Sequence, residues 1–211
     1  MMKRLLDLYC GGGGASFGYE LAGFEVTGVD INPQPNYVGE FVCDDAITFL
    51  LEFGHEFDAI HASPPCQQYS KSTSDHRTRG ITYPDLVGPT REALISIGKP
   101  YVIENVPGAP LEEPILLCGT MFSIPTYRHR IFECSFPISA PHHPIHVAKT
   151  NRIGKRPKTN EFIEYIGHFP GKDIVAKFTG LSWLTTQQLA QSIPPQYTRY
   201  IGRRILELIC Q

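Results

Sequence analysis

The first thirty residues follow a pattern that few folds can accommodate. An apolar run at residues 5–9 leads into a glycine-rich turn at 10–18, and a short helical pattern then ends at Gly23. A second apolar run follows and ends on Asp30. The order of strand, glycine turn, helix, strand and acid is typical of the nucleotide-binding half of a doubly wound sheet. We therefore predict an α/β fold with a doubly wound, mostly parallel, Rossmann-like sheet.

The same stretch indicates the kind of cofactor. Glycines let the backbone approach a ligand closely, and a carboxylate at Asp30 can accept hydrogen bonds from both hydroxyls of a ribose. Ser16 stands where the dinucleotide fingerprint Gly-x-Gly-x-x-Gly has its third glycine. The pattern therefore favours a nucleoside cofactor that lacks a pyrophosphate. A turn without any ligand and a nicotinamide-dependent oxidoreductase are the alternatives.

A second acid follows the third predicted strand, at residues 41–43. Asp45 precedes a helical pattern, so its carboxylate can cap that helix. It can also accept a hydrogen bond from an adenine amino group, because the carboxyl ends of parallel strands share one edge of the sheet. One residue can serve in both ways, and both interpretations stay open.

The candidate nucleophile is Cys66. It lies between two prolines and two glutamines, just after the predicted fourth strand at residues 57–62. Prolines stiffen such a loop, and a thiol is a strong nucleophile. An inert core cysteine is the alternative, and His61 nearby can be a core histidine.

Glu104 occupies the corresponding place after the fifth predicted strand, at residues 101–103. If the two strands are neighbours, Glu104 and Cys66 share a pocket. A helix cap or a surface charge is the alternative for an isolated glutamate.

Two segments are basic although the net charge is −2. Residues 71–80 are polar, and we expect them to close as a lid over a phosphate backbone. Residues 136–177 hold seven Lys and Arg against three acids, which indicates an anionic partner met on one face. Ordinary solvated surface is the alternative for both. The candidate contacts in these segments are Lys71, Arg77, Arg79, Lys149, Arg152, Lys155, Arg156 and Lys158.

The remaining patterns bound the class of protein. Six cysteines lie far apart without paired spacing, which fits reduced thiols in a cytoplasmic protein. No apolar run is long enough to span a membrane. Prolines 141 and 144 deny a helix to the nearby histidines His142, His143 and His146, so we expect no metal. We expect a monomer with a catalytic domain at 1–135 plus 178–211 and a small basic region at 136–177.

With these pieces in this order, the chain strongly resembles the DNA cytosine-5 methyltransferase family over nearly its whole length. The most specific match is residues 64–67, Pro-Pro-Cys-Gln, followed by Glu104-Asn105-Val106. The resemblance implies the cofactor S-adenosylmethionine, which becomes S-adenosylhomocysteine. It implies cofactor contacts from Tyr9, Cys10, Gly11, Gly12, Gly13, Asp30, Ile31, Asp45, Ala46 and Pro64.

The resemblance also implies a mechanism on double-stranded DNA. Cys66 adds to carbon 6 of a flipped-out cytosine, Glu104 protonates its N3, and carbon 5 then accepts the methyl group. Asn105, Arg128 and Arg130 hold the acid and the base, and Gln67 contacts the DNA. Apart from the resemblance, we expect the basic loop at residues 71–80 to activate the thiol by folding over it. The alternatives are an RNA cytosine methyltransferase of the same family and a catalytically silent nucleic-acid-binding relative.

Three departures from the family pattern limit these expectations. Thr126 replaces the glutamine that usually precedes the two arginines, and residues 193–197 replace a segment that lines the cofactor pocket. Residues 136–177 stand where larger members carry a much bigger recognition domain. A region this small can touch few base pairs, so we expect a short or relaxed recognition sequence. Small enzymes of this type occur in phages and bacteria, including restriction-modification systems.

Overall fold

The computed structural model describes residues 2–70 and 82–210, and a seven-stranded sheet forms its centre. The strands are β1 (Lys3–Leu8), β2 (Phe24–Asp30), β3 (Glu40–Cys43), β4 (Ala59–Ala62), β5 (Tyr101–Asn105), β6 (Ile115–Leu117) and β7 (Arg130–Cys134). The helices are α1 (Gly14–Ala22), α2 (Ala46–Phe53), α3 (Val87–Ile97), α4 (Lys172–Thr179), α5 (Thr186–Gln191) and α6 (Pro195–Ile209), with short 3₁₀ turns at Gly54–Glu56 and Gly119–Phe122.

The strand order is β3-β2-β1-β4-β5-β7-β6. The first five strands are parallel, whereas β7 runs antiparallel to both of its neighbours. The order reverses between β1 and β4, which is where open α/β sheets bind ligands. The prediction of a mostly parallel doubly wound sheet is confirmed.

Helices cover both faces of this sheet, so strands that are buried on both sides read as nearly continuous apolar runs. On one face, Leu5 packs with α1 and α6; on the other, Leu6 packs with α2 and α3. Helices α1 and α6 are in close contact because residue 18 is glycine. A Cβ there would lie 2.2 Å from the Pro195 carbonyl oxygen.

A smaller apolar cluster joins the end of the basic region to the chain that follows it. Its buried members are Ile163, Tyr165, Phe169, Val175, Leu181, Leu184 and Leu189. Helix α4 runs across the predicted boundary at 177–178, and its Val175 belongs to this cluster. The division into two domains therefore stays a prediction, with the cluster spanning the proposed border.

Among the described residues, no helix is both long enough and apolar enough to cross a membrane.

Candidate active site

The loop that carries Cys66 is fastened to both neighbouring strands. The backbone N–H of Ser63 donates to the Leu8 carbonyl (3.1 Å), which extends the pairing of β4 with β1. On the other side, Asn105 Nδ2 donates to the Pro64 carbonyl (3.0 Å). The N–H groups of Tyr69 and Ser70 both donate to the Cys66 carbonyl, so the chain turns directly after the cysteine. The thiol therefore has a fixed place at the edge of the sheet.

Glu104 lies next to this loop, as the pairing of β4 with β5 requires. Arg130, the first residue of β7, places its Nε 2.9 Å from Glu104 Oε1, and both side chains are mostly buried. Burial raises the pKa of Glu104, while Arg130, Arg128 and a hydrogen bond with the Ser63 hydroxyl oppose this rise without cancelling it. A glutamic acid with a raised pKa retains its proton more readily and can donate it to a bound base.

The Cys66 thiol is held in its neutral form in this arrangement. Burial raises its pKa most, the Glu104 carboxylate raises it further, and Arg130 and Arg128 lower it by less. A thiolate therefore requires a change in surroundings, such as neutralisation of Glu104 or arrival of further positive charge. The predicted activating residues Lys71, Arg77 and Arg79 lie outside the described part of the chain, so their role stays a prediction.

Cys66 stands where two cavities meet. A cavity of about 400 Å³ lies over the glycine turn. A second, of about 640 Å³, lies between β7 and residues 163–167. The walls of both include Cys66, Gln67, Val106, Arg130 and Gln191. A group bound in either cavity can therefore reach the thiol.

The smaller cavity has the residues that the sequence assigned to the cofactor. Asp30 holds the glycine turn: its Oδ2 accepts from the Gly11 N–H (3.0 Å) and its Oδ1 from the Asn32 N–H (2.9 Å). Oδ1 also accepts a longer bond from Asn32 Nδ2 (3.4 Å), whereas Oδ2 has a further lone pair for a ligand hydroxyl. The predicted residues on the cavity wall are Tyr9, Cys10, Gly11, Gly12, Asp30, Ile31, Asp45, Ala46 and Pro64.

Gly13 departs from this set because it does not belong to that wall. Its φ of 86° is left-handed, and a Cβ there would lie 2.9 Å from the Tyr37 ring. Gly13 therefore allows the turn to pack on Tyr37. Asp45 has the predicted capping role, since its Oδ1 accepts from the Thr48 N–H (2.9 Å) at the start of α2. The residue also lines the cavity, and its contact with an adenine stays a prediction.

Two residues predicted to act directly on the base have mainly positioning contacts. Asn105 is buried and holds the Cys66 loop through Pro64, and its predicted part in holding Glu104 and the base stays a prediction. Arg128 donates to the carbonyls of Ser192 (2.8 Å), Tyr165 (3.1 Å) and Ala190 (2.6 Å). Its guanidinium also stacks on the Tyr165 ring at 4.2 Å. Arg128 therefore ties the entry of β7 to the C-terminal region, and its effect on Glu104 and Cys66 is electrostatic.

The C-terminal region contributes cavity residues that the sequence did not single out. Gln188, Ser192 and Ile193 line the smaller cavity opposite the glycine turn. Trp183 Nε1 donates to the Gly12 carbonyl (3.2 Å), across 171 positions of sequence. No spacing rule connects residues so far apart. Of the replaced segment at 193–197, Ile193 lines the cavity, and Tyr197 donates from its hydroxyl to the Arg128 carbonyl (3.0 Å).

The sequence patterns also did not predict a chain of buried hydrogen bonds through His61. His61 Nδ1 lies 2.9 Å from the Tyr19 hydroxyl and its Nε2 lies 2.9 Å from the Ser63 hydroxyl, which in turn contacts Glu104. Burial lowers the His61 pKa to about 3, so the imidazole is neutral. This core histidine fixes Ser63 beside the acid.

The predicted DNA contacts divide into three groups. Gln67 lies at the junction of the cavities. Four of the basic residues are exposed and lie away from the walls of the two cavities, namely Lys149, Arg152, Lys155 and Lys158. Arg156 is exposed too, but it forms a bidentate ion pair with Asp173 (2.9 and 2.5 Å), so part of its charge is already neutralised. Residues 71, 77 and 79 lie outside the described ranges.

Comparison with known proteins found methyltransferases that resemble this chain in sequence or in fold. No family model matches the sequence. The type II methyltransferase M.HgiGI of Herpetosiphon aurantiacus is 29% identical over 124 residues, which cover 52% of this chain and 95% of the relative. Among solved structures, a prophage-encoded candidate DNA modification methyltransferase of E. coli aligns with a TM-score of 0.68 at 16% identity, over 99% of this chain and 100% of the other.

Two eukaryotic structures have the same fold. The methyltransferase EhMeth of Entamoeba histolytica aligns with a TM-score of 0.64 at 16% identity, and S. pombe Dnmt2 with a TM-score of 0.63 at 15% identity. Both alignments cover 99% of each chain. The comparisons support S-adenosylmethionine as the cofactor. This chain therefore has the fold of these methyltransferases, and the comparisons support both a methyltransferase activity and the resemblance to the DNA cytosine-5 methyltransferase family.

Proposed function

We propose that the chain transfers a methyl group from S-adenosylmethionine to carbon 5 of cytosine in DNA, through a covalent adduct on Cys66. The observation that carries this proposal is the position of Cys66 at the junction of two cavities, beside the Glu104–Arg130 ion pair. One cavity has the residues for a nucleoside cofactor, and the other is large enough for a flipped base. A thiol between them can reach the base while the base reaches the methyl donor.

The polar groups on the wall of the smaller cavity fit those of S-adenosylmethionine. Asp30 can accept from ribose hydroxyls, Asp45 can accept from an adenine amino group, and the turn at Gly11 and Gly12 admits close backbone contact. When bound, the cofactor supplies a methyl group on a positively charged sulfur.

The chain's own residues would perform the remaining chemistry. The Cys66 thiol first gives its proton to solvent, and the thiolate then adds to carbon 6 of cytosine. The ring electrons move toward carbon 5 while Glu104 gives its proton to N3. Arg130 stabilises the carboxylate that this leaves behind. After carbon 5 has gained the methyl group, a base removes the proton from that carbon. The electron pair of that C–H bond then expels the Cys66 thiolate, and the Glu104 carboxylate takes back the proton from N3, which restores the neutral ring.

DNA is the proposed substrate because the exposed cations are clustered in the sequence while the protein as a whole has a charge of −2. Such a cluster binds a phosphate backbone without reading its sequence. The small size of residues 136–177 leaves room for few base contacts, so the proposed recognition sequence is short. Sequencing of methylated DNA tests this, and a preference for six or more defined bases would contradict it.

The decisive experiment uses duplex DNA that contains 5-fluorocytosine. Carbon 5 then carries fluorine, which cannot leave as a proton does, so the adduct on Cys66 accumulates when S-adenosylmethionine is present. We expect a covalent complex, and peptide mapping should place the DNA on Cys66.

The matched control is Cys43→Ser, because Cys43 is an exposed free cysteine away from the cavities. This variant should form the adduct normally, and Cys66→Ser should form none. An adduct on fluorinated transfer RNA but not on duplex DNA would replace DNA by RNA as substrate. Methyl transfer by Cys66→Ala at the native rate would rule out the covalent mechanism.

A further inference from the structure

Four side chains with metal-binding atoms meet at one end of the β6–β7 pair, where His129 also lines the larger cavity. Cys118 follows β6 directly, and His129 immediately precedes β7. His143 and His146 come from the irregular segment that crosses this end. One ligand atom from each of the four residues lies within 4.8 Å of all the others. The prolines that deny His143 and His146 a helix therefore do not keep them apart from other ligands.

The spacing of these atoms fits a tetrahedral zinc ion. Bonds of about 2.3 Å to sulfur and about 2.0–2.1 Å to nitrogen, at tetrahedral angles, separate neighbouring ligand atoms by about 3.3–3.6 Å. Cys118 Sγ lies 3.3 Å from His146 Nε2, and His129 Nε2 lies 3.4 Å from His143 Nε2. Both distances fall in the range that a shared ion would impose.

The surroundings also suit a metal centre. The Thr120 hydroxyl lies 3.1 Å from the Cys118 sulfur, where it can donate a hydrogen bond to a thiolate. The Tyr127 ring stacks on His146 with a centroid distance of 3.7 Å and an angle of 18° between the rings, and its hydroxyl donates to the Ala148 carbonyl (2.7 Å). These contacts orient two of the four ligands.

We propose that Cys118, His129, His143 and His146 bind one Zn²⁺ ion. One thiolate and three neutral imidazoles fill a tetrahedral shell, which is the pattern of a structural rather than a catalytic zinc. Binding releases the Cys118 thiol proton to solvent. Because His129 lies between Arg128 and Arg130, the ion fastens the 143–146 segment beside the arginines that surround Glu104.

The test measures metal content and coordination, so it does not depend on methyl transfer. The full chain, without a histidine tag, is purified in metal-free buffer, stripped with a chelator and titrated with Zn²⁺ and with Co²⁺. We expect one ion per chain, the intense visible absorption of tetrahedral Co²⁺ with a sulfur ligand, and a melting temperature that rises on zinc addition. X-ray absorption of the zinc protein should fit one sulfur and three nitrogen neighbours.

The variants are His143→Ala and His146→Ala, with His142→Ala as the matched control. His142 is an exposed neighbour of His143 outside the four-residue group. Loss of a ligand should weaken zinc binding by at least about a hundredfold, more than a change in a supporting hydrogen bond does, whereas His142→Ala should bind normally. Cys118→Ser should remove the sulfur signal in the cobalt spectrum. Failure of the wild-type protein to bind Zn²⁺, or equal weakening by His142→Ala and His143→Ala, would overturn the proposal.

Discussion

The guanidinium of Arg130 and the carboxylate of Glu104 form an ion pair of 2.9 Å, and each side chain belongs to a different strand of the sheet. Glu104 lies on β5 and Arg130 begins β7, and these two strands run antiparallel. The ion pair therefore depends on β7, the strand that runs antiparallel to the five parallel strands of the sheet. Glu104 lines the smaller cavity, and Arg130 lines both cavities, so the ion pair lies where the two cavities meet beside Cys66.

We expect Glu104→Gln to slow methyl transfer by about 10²–10⁴-fold, the usual contribution of a general acid. An amide fills the same space but cannot give a proton to the base. The matched control is Glu112→Gln, because Glu112 is 74% exposed and lies outside both cavities. Single-turnover rates with saturating cofactor measure the effect, and a native rate in Glu104→Gln would remove the acid from the mechanism.

The pH dependence of the wild-type rate should be bell-shaped. The active form has an ionised Cys66 and a protonated Glu104, so the rate is low at low pH, where the thiol keeps its proton, and low at high pH, where the acid has lost its own. Burial raises the pKa values of both groups, so each limb should lie above the ordinary range of its side chain. Replacement of Glu104 by glutamine should abolish the falling limb, and a falling limb that persists unchanged would contradict this assignment.

Asp7 should make the folded state less stable as pH rises from about 4 to about 7. This carboxyl is buried, and burial raises its pKa from 3.8 to about 7 despite hydrogen bonds with Ser16. Between pH 3.8 and about 7, Asp7 therefore keeps its proton in the folded protein and loses it in the unfolded chain. The contribution is fully present below pH 3.8 and is lost as pH rises through about 7.

The size of this effect is on the order of 4 kcal/mol, since each pKa unit corresponds to about 1.4 kcal/mol. Denaturant unfolding of the wild type and of Asp7→Asn at several pH values measures it. The difference between the two proteins isolates Asp7 from His61, which titrates with the opposite sign because its folded pKa is lowered. A difference that does not change between pH 4 and 7 would contradict the prediction.

Arg128→Lys should destabilise the protein by about 2–4 kcal/mol. A lysine keeps the charge but cannot reach three separate carbonyl groups in fixed directions, and buried acceptors without a donor are costly. Arg152→Lys serves as the control because Arg152 is exposed. Thermal unfolding measures the change, and equal melting temperatures for the two variants would show that the three hydrogen bonds of Arg128 contribute little.

The exposed cations should contribute unequally to DNA binding. Removal of one phosphate contact weakens binding to all sequences and reduces the salt slope by about 1. We expect this for Arg152→Ala and Lys155→Ala. Arg156→Ala should have a smaller effect, because Asp173 already pairs with that guanidinium. Affinities measured over a range of salt concentrations test the order, and a larger loss for Arg156 than for Arg152 would reverse it.

Local patterns predicted the fold and most of the cofactor cavity because both depend on residues close in sequence. The glycine turn, Asp30 and Asp45 each follow a strand directly, so the parallel topology alone brings them to one edge. The pairing of Cys66 with Glu104 was predictable for the same reason, since their strands are neighbours.

The contributions of distant residues could not be predicted in this way. The contact of Trp183 with Gly12 and the three acceptors of Arg128 depend on how the C-terminal helices pack, which no spacing encodes. The sequence also assigned Asn105 to the acid, whereas its amide holds the cysteine loop. Residue type indicated that Asn105 and Arg128 matter, but only the packing shows what they contact.

The close contact of α1 with α6 also decides when the cofactor cavity is complete during synthesis of the chain. The glycine turn leaves the ribosome early, but Gln188, Ser192 and Ile193 complete the opposite wall of its cavity. The nascent chain therefore has no closed cofactor site until those residues have been translated and α6 has docked on Gly18.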